Sequence, residues 1–206
     1  QVVADLPTLL APDDLLVVNE TAVMPARFLG TRGDTGGAVE GLFLEQEEGG
    51  HWRAMLRSNG KLRPGQVIDL GDAHLELLEQ HQDSWACCCS EEDAHGLLDR
   101  LGMTPLPPYI RRARGDEQVE DAVDRLDYQA IYSDPAQAQS VAAPTAGLHF
   151  TSALMDQIKA RQAAVCELTL HVGLGTFRPI ASEKISDHQM HAEWGELTAE
   201  VADEIT

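Results

Sequence analysis

The sequence is poor in positive charge. Its 206 residues carry 15 Lys and Arg against 34 Asp and Glu, a net charge of -19. Phosphate backbones are gripped by Lys and Arg, so this balance argues against non-specific nucleic-acid binding. No apolar run approaches the ~20 residues of a membrane span, and the first residues lack the charged–apolar–small order of a signal peptide. Cysteine is scarce and poorly spaced for metal or disulfide work: Cys87, Cys88 and Cys89 are consecutive, Cys166 stands alone, and there is no CxxC. Neighbours on a strand face opposite sides, so the triple makes no metal clamp. Reduced, structural thiols in a cytoplasmic protein are the expectation. Also missing are GxGxxG, HExxH and any internal repeat.

What is present begins with a hydrophobic content of 43%, enough to bury a core in one sizeable domain or two small ones. The few cations cluster. Arg53, Arg57, Lys61 and Arg63 stand against Asp69 alone between His51 and Leu70, and Arg111, Arg112 and Arg114 form a second group. Two readings are open: solvated loop charge, or patches that steer a polyanion locally.

The apolar run Asp14 to Val18 suits a buried strand, closed by the polar knot Asn19-Glu20-Thr21. From Ala38 to Ser90, short strand-like runs alternate with EEGG, NGKLRPG and GD, the pattern of a small antiparallel sheet or barrel. Glu91 to Leu101 reads as a helix with Gly102 at its C-cap, and the prolines of PLPPYI make a stiff connector. The charged stretch from Arg111 to Asp127 reads as a mobile loop or linker. Thr151 to Arg161 is a helix and Ala164 to His171 a strand. This order fits an α/β core domain with an inserted small antiparallel β-barrel. The core spans 1–24 and 141–206, the barrel 25–110, and a charged linker 111–140. The chain opens on Gln1 and closes in TAEVADEIT, a helix start capped by Thr198, so a fragment of a longer protein is expected.

Three groups of residues invite chemistry. VAAPTAGLHF (141–150) and TLHVGLGTF (169–177) each follow a strand and combine a His with Gly and Thr. Backbone N–H groups in such loops can receive polar ligands. Thr145 would cap the helix near Thr151 or bind a ligand, and packed tight turns are the plain alternative. Asp187, His188, His191 and Glu193 fall within DHQMHAE, open to metal ligation, to polar-substrate or proton work, or to packing. Asn19 at a strand end and Arg27 after Pro25 suit a carboxylate or phosphate, or a turn with a surface cation.

VNETAVMPAR, PLPPYI, YQAIYS, VAAPTAGLHF, TLHVGLGTF and DHQMHAEW, in this order, resemble the S-adenosylmethionine:tRNA ribosyltransferase-isomerase (QueA) family of queuosine biosynthesis. The resemblance covers nearly the whole chain. It implies an α/β domain with an inserted barrel. It also implies an enzyme that moves the ribosyl part of S-adenosylmethionine onto 7-aminomethyl-7-deazaguanine at the wobble position of tRNA with a GUN anticodon. The ribosyl is isomerised to give epoxyqueuosine, and adenine and methionine leave. S-adenosylmethionine is then a consumed substrate, no cofactor or metal is required, and a monomer is expected. Further family motifs, a TNFHLP-type loop and a GTTSVR-type stretch, would lie beyond Thr206. One departure is local: where the family reads Asn-(Asp/Asn)-Thr-Arg, this chain has Glu20 second and Ala22 fourth.

On that resemblance His149, His171, His188, His191 and Glu193 are candidates for proton transfer, with base and acid not assigned among them. His149 and His171 are expected nearest the nucleoside. Thr145, Gly147, Phe150, Gly173, Gly175 and Thr176 would shape its pocket. Asn19, Arg27 and Arg57 would bind substrate, the arginines through the methionine carboxylate or the tRNA backbone. The competing readings are a metal-dependent hydrolase built on DHQMHAE and a non-catalytic RNA-binding module.

Overall fold

A computed structural model of the chain describes residues 1–47, 49–107, 110, 117–173, 175, 183–187 and 192–206. The chain divides into two compact units. One holds Gln1–Val23, Pro107–Ala113 and Ala122–Thr206; the other holds Met24–Leu106 and Arg114–Asp121.

In the first unit, a short helix α1 (Leu6–Leu9) precedes strand β1 (Leu15–Asn19), which pairs in parallel with β10 (Ala164–His171). Between them in sequence runs helix α4 (Ser152–Ala160), so strand, helix and parallel strand form the α/β part that the sequence order predicts. Strand β11 (Trp194–Glu196) adds antiparallel to β10, giving the order β1-β10-β11. The apolar run of β1 suggests a strand covered on both faces. In the sheet it is an edge, with Val18 buried and Val17 39% exposed. Leu154, Met155, Ile158 and Ala163 form the buried cluster beneath α4, with Leu6, Leu10, Leu16, Tyr132, Phe150 and Val165 packed against it. Helix α5 (Ala199–Ile205) follows, its first turn capped by the Thr198 hydroxyl, which accepts from Val201 N.

The second unit is a closed barrel. Strands β3 (Arg27–Arg32), β4 (Ala38–Gln46), β5 (Trp52–Ser58), β6 (Val67–Asp69), β7 (His74–His81) and β8 (Ser84–Cys89) close in the order β3-β4-β5-β8-β7-β6, every pairing antiparallel. Alternation decides what faces in. Leu75 and Leu77 are buried around exposed Glu76, and Trp85 and Cys87 precede exposed Cys88. Trp52 meets the rings of Phe28 and Phe43 edge-on, with centroids 6.0 and 4.9 Å away. A Cβ on Gly41 would fall 2.1 Å from the Phe28 ring, so this strand position admits only glycine at that packing. Helix α2 (Ala94–Leu101) buries Ala94, Leu97 and Leu98. It is capped by Asp93, two residues inside the expected start at Glu91. Gly102 ends it with an N–H to Leu98 O in extended rather than left-handed conformation.

The 111–140 stretch expected as a charged linker is structured in the part described. Helix α3 (Glu117–Asp127) and strand β9 (Ala138–Ser140) lie in it, and β9 pairs in parallel with β2 (Ala22–Val23). The physical reason lies in the helix composition. Asp121 and Arg125 stand at i, i+4, and the buried side of α3 and the residue after it is Asp124 and Tyr128, while Leu126 is 78% exposed. The apolar residues Val119, Ala122, Val123 and Leu126 do recur at i, i+3, i+4 and i+7, but Val123 and Leu126 are exposed and Asp124 is covered, so charge rather than apolar spacing dominates the stretch. Arg111, Arg112 and Arg114 lie outside the described residues, as do Pro108 and Tyr109 of PLPPYI. Among the described residues no helix is long and apolar enough to cross a membrane.

Candidate active site

The parallel strands β1 and β10 end side by side, and the polar knot after β1 builds the site. Asn19 continues the ladder with its side chain. Its Nδ2 donates to Leu170 O at 2.8 Å, and its Oδ1 accepts from Leu170 N at 3.0 Å and from Thr21 N at 3.1 Å. Asparagine suits this place because its amide offers donor and acceptor together. Glu20 donates its backbone N–H to Leu168 O and accepts from Asp134 N, and its carboxylate accepts from the Thr169 hydroxyl at 3.0 Å. The Glu20 departure from the family pattern is thus matched by a local donor. Ala22, the other departure, is buried in β2.

With the chain turned in this way, Thr21 is wholly buried. Its Oγ1 lies 2.7 Å from Ser140 Oγ and 3.1 Å from His171 Nδ1. Ser140 closes β9, and its Oγ accepts from Val172 N at 2.8 Å. Val141 N donates to Val172 O at 3.0 Å, so the two His-bearing loops start from adjacent strand ends. Gln129, within YQAIYS, fixes β2 from the side: its Nε2 donates to Val23 O at 2.7 Å and its Oε1 accepts from Val23 N at 2.9 Å.

His171 is 4% exposed, its ring against that of Trp194 at 4.2 Å between centroids. Its Nε2 is buried and has no partner among the described residues. Burial holds the imidazole below its ordinary value, so it is neutral at neutral pH. Across the same edge, the Glu193 carboxylate accepts from Gly173 N at 3.1 Å.

The expected site residues divide accordingly. Asn19, His171, Gly173 and Glu193 come together at the ends of β1, β10 and β11, and Gly175 follows half-buried. Thr145 to His149 form a 3-10 helix on which Thr145 and His149 are exposed. Thr145 does not cap α4; the Thr151 hydroxyl does, accepting from Leu154 N, because it sits at the position from which an oxygen reaches the first free N–H groups. Gly147 is buried, and a Cβ there would lie 2.4 Å from Tyr132 Oη. Phe150 meets the Tyr132 ring edge-on at 5.6 Å and joins the α4 cluster. Arg27 and Arg57 belong to the barrel unit. Arg27 Nε donates to Glu40 at 2.7 Å, whereas Arg57 is exposed with no carboxylate paired to it among the described residues. Thr176, His188 and His191 lie outside the described residues, so of DHQMHAE only Asp187, Ala192 and Glu193 are placed. Among the described residues no three His, Cys, Asp or Glu gather to hold a metal.

Sequence reasoning passes over Thr21, Ser140, Gln129 and Trp194. A faint signal exists for two of them: hydroxyls at strand ends, one inside the knot with Asn19 and one immediately before VAAPTAGLHF.

The family model described as queuosine biosynthesis protein matches residues 1–206. An S-adenosylmethionine:tRNA ribosyltransferase-isomerase of Methylocella silvestris is 44% identical over 209 residues, 97% of this chain and 56% of the relative. Proteins of the same name from Symbiobacterium thermophilum and Staphylococcus epidermidis are 43% and 41% identical, covering 96% and 93% of this chain and 56% and 54% of their own. The chain therefore spans little more than half the length of these relatives. A solved S-adenosylmethionine tRNA ribosyltransferase of Thermotoga maritima is 20% identical, covers 98% of this chain and 50% of that one, and has a TM-score of 0.35, a likeness too weak to carry an argument. Matched from its first residue to its last, with the motifs of the resemblance in place, the chain belongs to the queuosine biosynthesis protein family.

Proposed function

We propose that this chain carries the ribosyl-transfer and isomerisation site of an S-adenosylmethionine:tRNA ribosyltransferase-isomerase. On this reading the ribosyl moiety of S-adenosylmethionine passes to 7-aminomethyl-7-deazaguanine at the wobble position of a GUN-anticodon tRNA, is rearranged to epoxyqueuosine, and releases adenine and methionine. S-adenosylmethionine is consumed. The observation that carries the reading is the meeting of three family motifs on one buried imidazole: His171 of TLHVGLGTF, Thr21 of VNETAVMPAR, and Ser140 just ahead of VAAPTAGLHF.

The chemistry asks for what such a site offers. The sulfonium acidifies the neighbouring C5′ protons, the attacking amine must be neutral, and departing adenine needs a donor at a ring nitrogen. His171 presents an enclosed ring nitrogen with no protein partner among the described residues. Exposed His149 is free of the packing that fixes His171 and is the second candidate. Arg57, Lys61 and Arg63 are exposed and unpaired among the described residues, so they are the cations that would meet tRNA phosphates. Arg53 is held by Glu45 and Glu47. The proposal is tested by adenine release from S-adenosylmethionine in the presence of an anticodon stem-loop bearing 7-aminomethyl-7-deazaguanine. Release by the parent chain, lost in His171→Ala, is expected. Parent-level release by His171→Ala would remove His171 from the chemistry, and no release by a full-length relative-sized protein would remove the reaction.

A further inference from the structure

The hydrogen bonds around His171 can be traced from one unambiguous donor. Val172 N–H is a donor only, so Ser140 Oγ accepts from it at 2.8 Å. The hydrogen of Ser140 then has one described acceptor, Thr21 Oγ1 at 2.7 Å. The hydrogen of Thr21 has two possible acceptors, His171 Nδ1 at 3.1 Å and the Gln137 carbonyl at 3.4 Å. The shorter contact lies nearer the range of real O–H hydrogen bonds. The opposite arrangement would load Thr21 Oγ1 with hydrogens from both Ser140 and His171. It would leave the Thr21 hydrogen only the long contact to Gln137.

We propose that the Val172 backbone N–H, acting through the hydroxyls of Ser140 and Thr21, fixes His171 as the tautomer protonated on Nε2, so that His171 offers a ligand a hydrogen-bond donor aimed at an sp2 ring nitrogen. Thr21 and Ser140 are positioning residues. Their own burial, with Thr21 and Ser140 both fully enclosed, keeps water from competing for Nδ1. Among the described residues nothing accepts from Nε2, and a buried N–H left unpaired is a group that a ligand acceptor would satisfy. The ring of Trp194, 57% exposed, packs at a tilt against the imidazole. The identity of the acceptor, the adenine of S-adenosylmethionine, rests on the function proposed above; the tautomer does not.

The test is long-range 1H–15N correlation of the uniformly labelled chain without ligand, with the His171 signals assigned by their loss in His171→Gln. The expected pattern is a single neutral tautomer with the hydrogen on Nε2. Thr21→Val should convert it to a mixture, and Thr21→Ser should restore it. A wild-type ring protonated on Nδ1 overturns the proposal, as does an unchanged tautomer in Thr21→Val. If Thr21→Val does not fold, Ser140→Ala decides: it frees Thr21 Oγ1 to accept, so population should move toward Nδ1–H, and no movement overturns the relay. Adding S-adenosylmethionine should shift the Nε2 proton signal. Absence of a shift overturns adenine as the acceptor while the adenine-release assay judges the reaction separately.

Discussion

Asn19 and Leu170 are tied by two hydrogen bonds, Asn19 Nδ2 to Leu170 O at 2.8 Å and Leu170 N to Asn19 Oδ1 at 3.0 Å, at the point where the parallel strands β1 and β10 would otherwise part. The same oxygen accepts from Thr21 N and so sets the turn that buries Thr21. Asn19→Ala should lower stability by about 1–2 kcal/mol, measured by urea unfolding. Asn19→Asp keeps the acceptor but sets a carboxylate oxygen against Leu170 O. It should be no more stable than Asn19→Ala, and wild-type stability in Asn19→Asp would show the Nδ2 bond to be idle.

Gly147 is sterically committed to Tyr132. An added Cβ would sit 2.4 Å from Tyr132 Oη and 3.1 Å from Ala130 Cβ, and the Tyr132 ring is held edge-on by Phe150. Gly147→Ala should cost about 1–3 kcal/mol by overpacking. Tyr132→Phe in the same chain removes the nearest atom and should recover part of that loss. A double-mutant cycle with no coupling between the two positions would place the strain elsewhere.

The cysteines should react in order of exposure and thiolate availability. Cys88 is exposed, whereas Cys87 is buried with its thiol pushed up to about 12, and burial also raises Cys89 and Cys166. Titration with a thiol reagent at neutral pH should show one fast equivalent, lost in Cys88→Ser. The Cys87 and Cys166 thiols should appear only on unfolding. A fast phase surviving Cys88→Ser would contradict this order.

If the barrel's exposed cations meet tRNA as proposed, replacing Arg57, Lys61 and Arg63 by Gln should weaken binding evenly across RNA sequences. The slope of log affinity against log salt should fall by ~0.7–0.9 for each phosphate that is no longer neutralised. Arg53→Gln should do less, because that guanidinium already lies 3.4 Å from the Glu45 carboxylate and is also paired with Glu47. An unchanged slope in the triple variant would clear this face of RNA binding.

His171 should also imprint the pH dependence of stability. Folding holds its imidazole below the ordinary value of 6.5 by burial. Between the folded value and about 6.5 the unfolded chain binds more protons, so stability rises with pH through that window. The contribution is complete above it and is lost as pH falls through the folded value. The stability of the parent relative to His171→Phe should therefore fall as pH drops across the window. A difference that stays flat would mean that burial does not perturb this group.

The sequence by itself was sufficient for local and periodic features. Apolar alternation along β7 and β8 marks the barrel strands because a closed sheet has one inward face for every second residue. Thr198 acts where a hydroxyl precedes a helix, and β10 spans Ala164 to His171 as its apolar pattern predicts. The motif stretches make the family legible. Helix α3 carries a helical spacing in Val119, Ala122, Val123 and Leu126, but the charge of the stretch outweighs it in a reading by composition, and the cap expected of Thr145 belongs to Thr151.

Only the tertiary structure decides what His171 touches. Thr21, Ser140 and His171 are separated along the chain by a whole barrel and a helix, with sequence distances of 119 and 150 residues from Thr21 to its two partners. No periodicity relates residues so far apart. They meet because two parallel strand pairs end at the same edge, and because hydrogen-bond direction depends on which hydroxyl faces which nitrogen once water has been excluded. The chain dictates which groups are available; the fold decides which lone pair each hydrogen reaches.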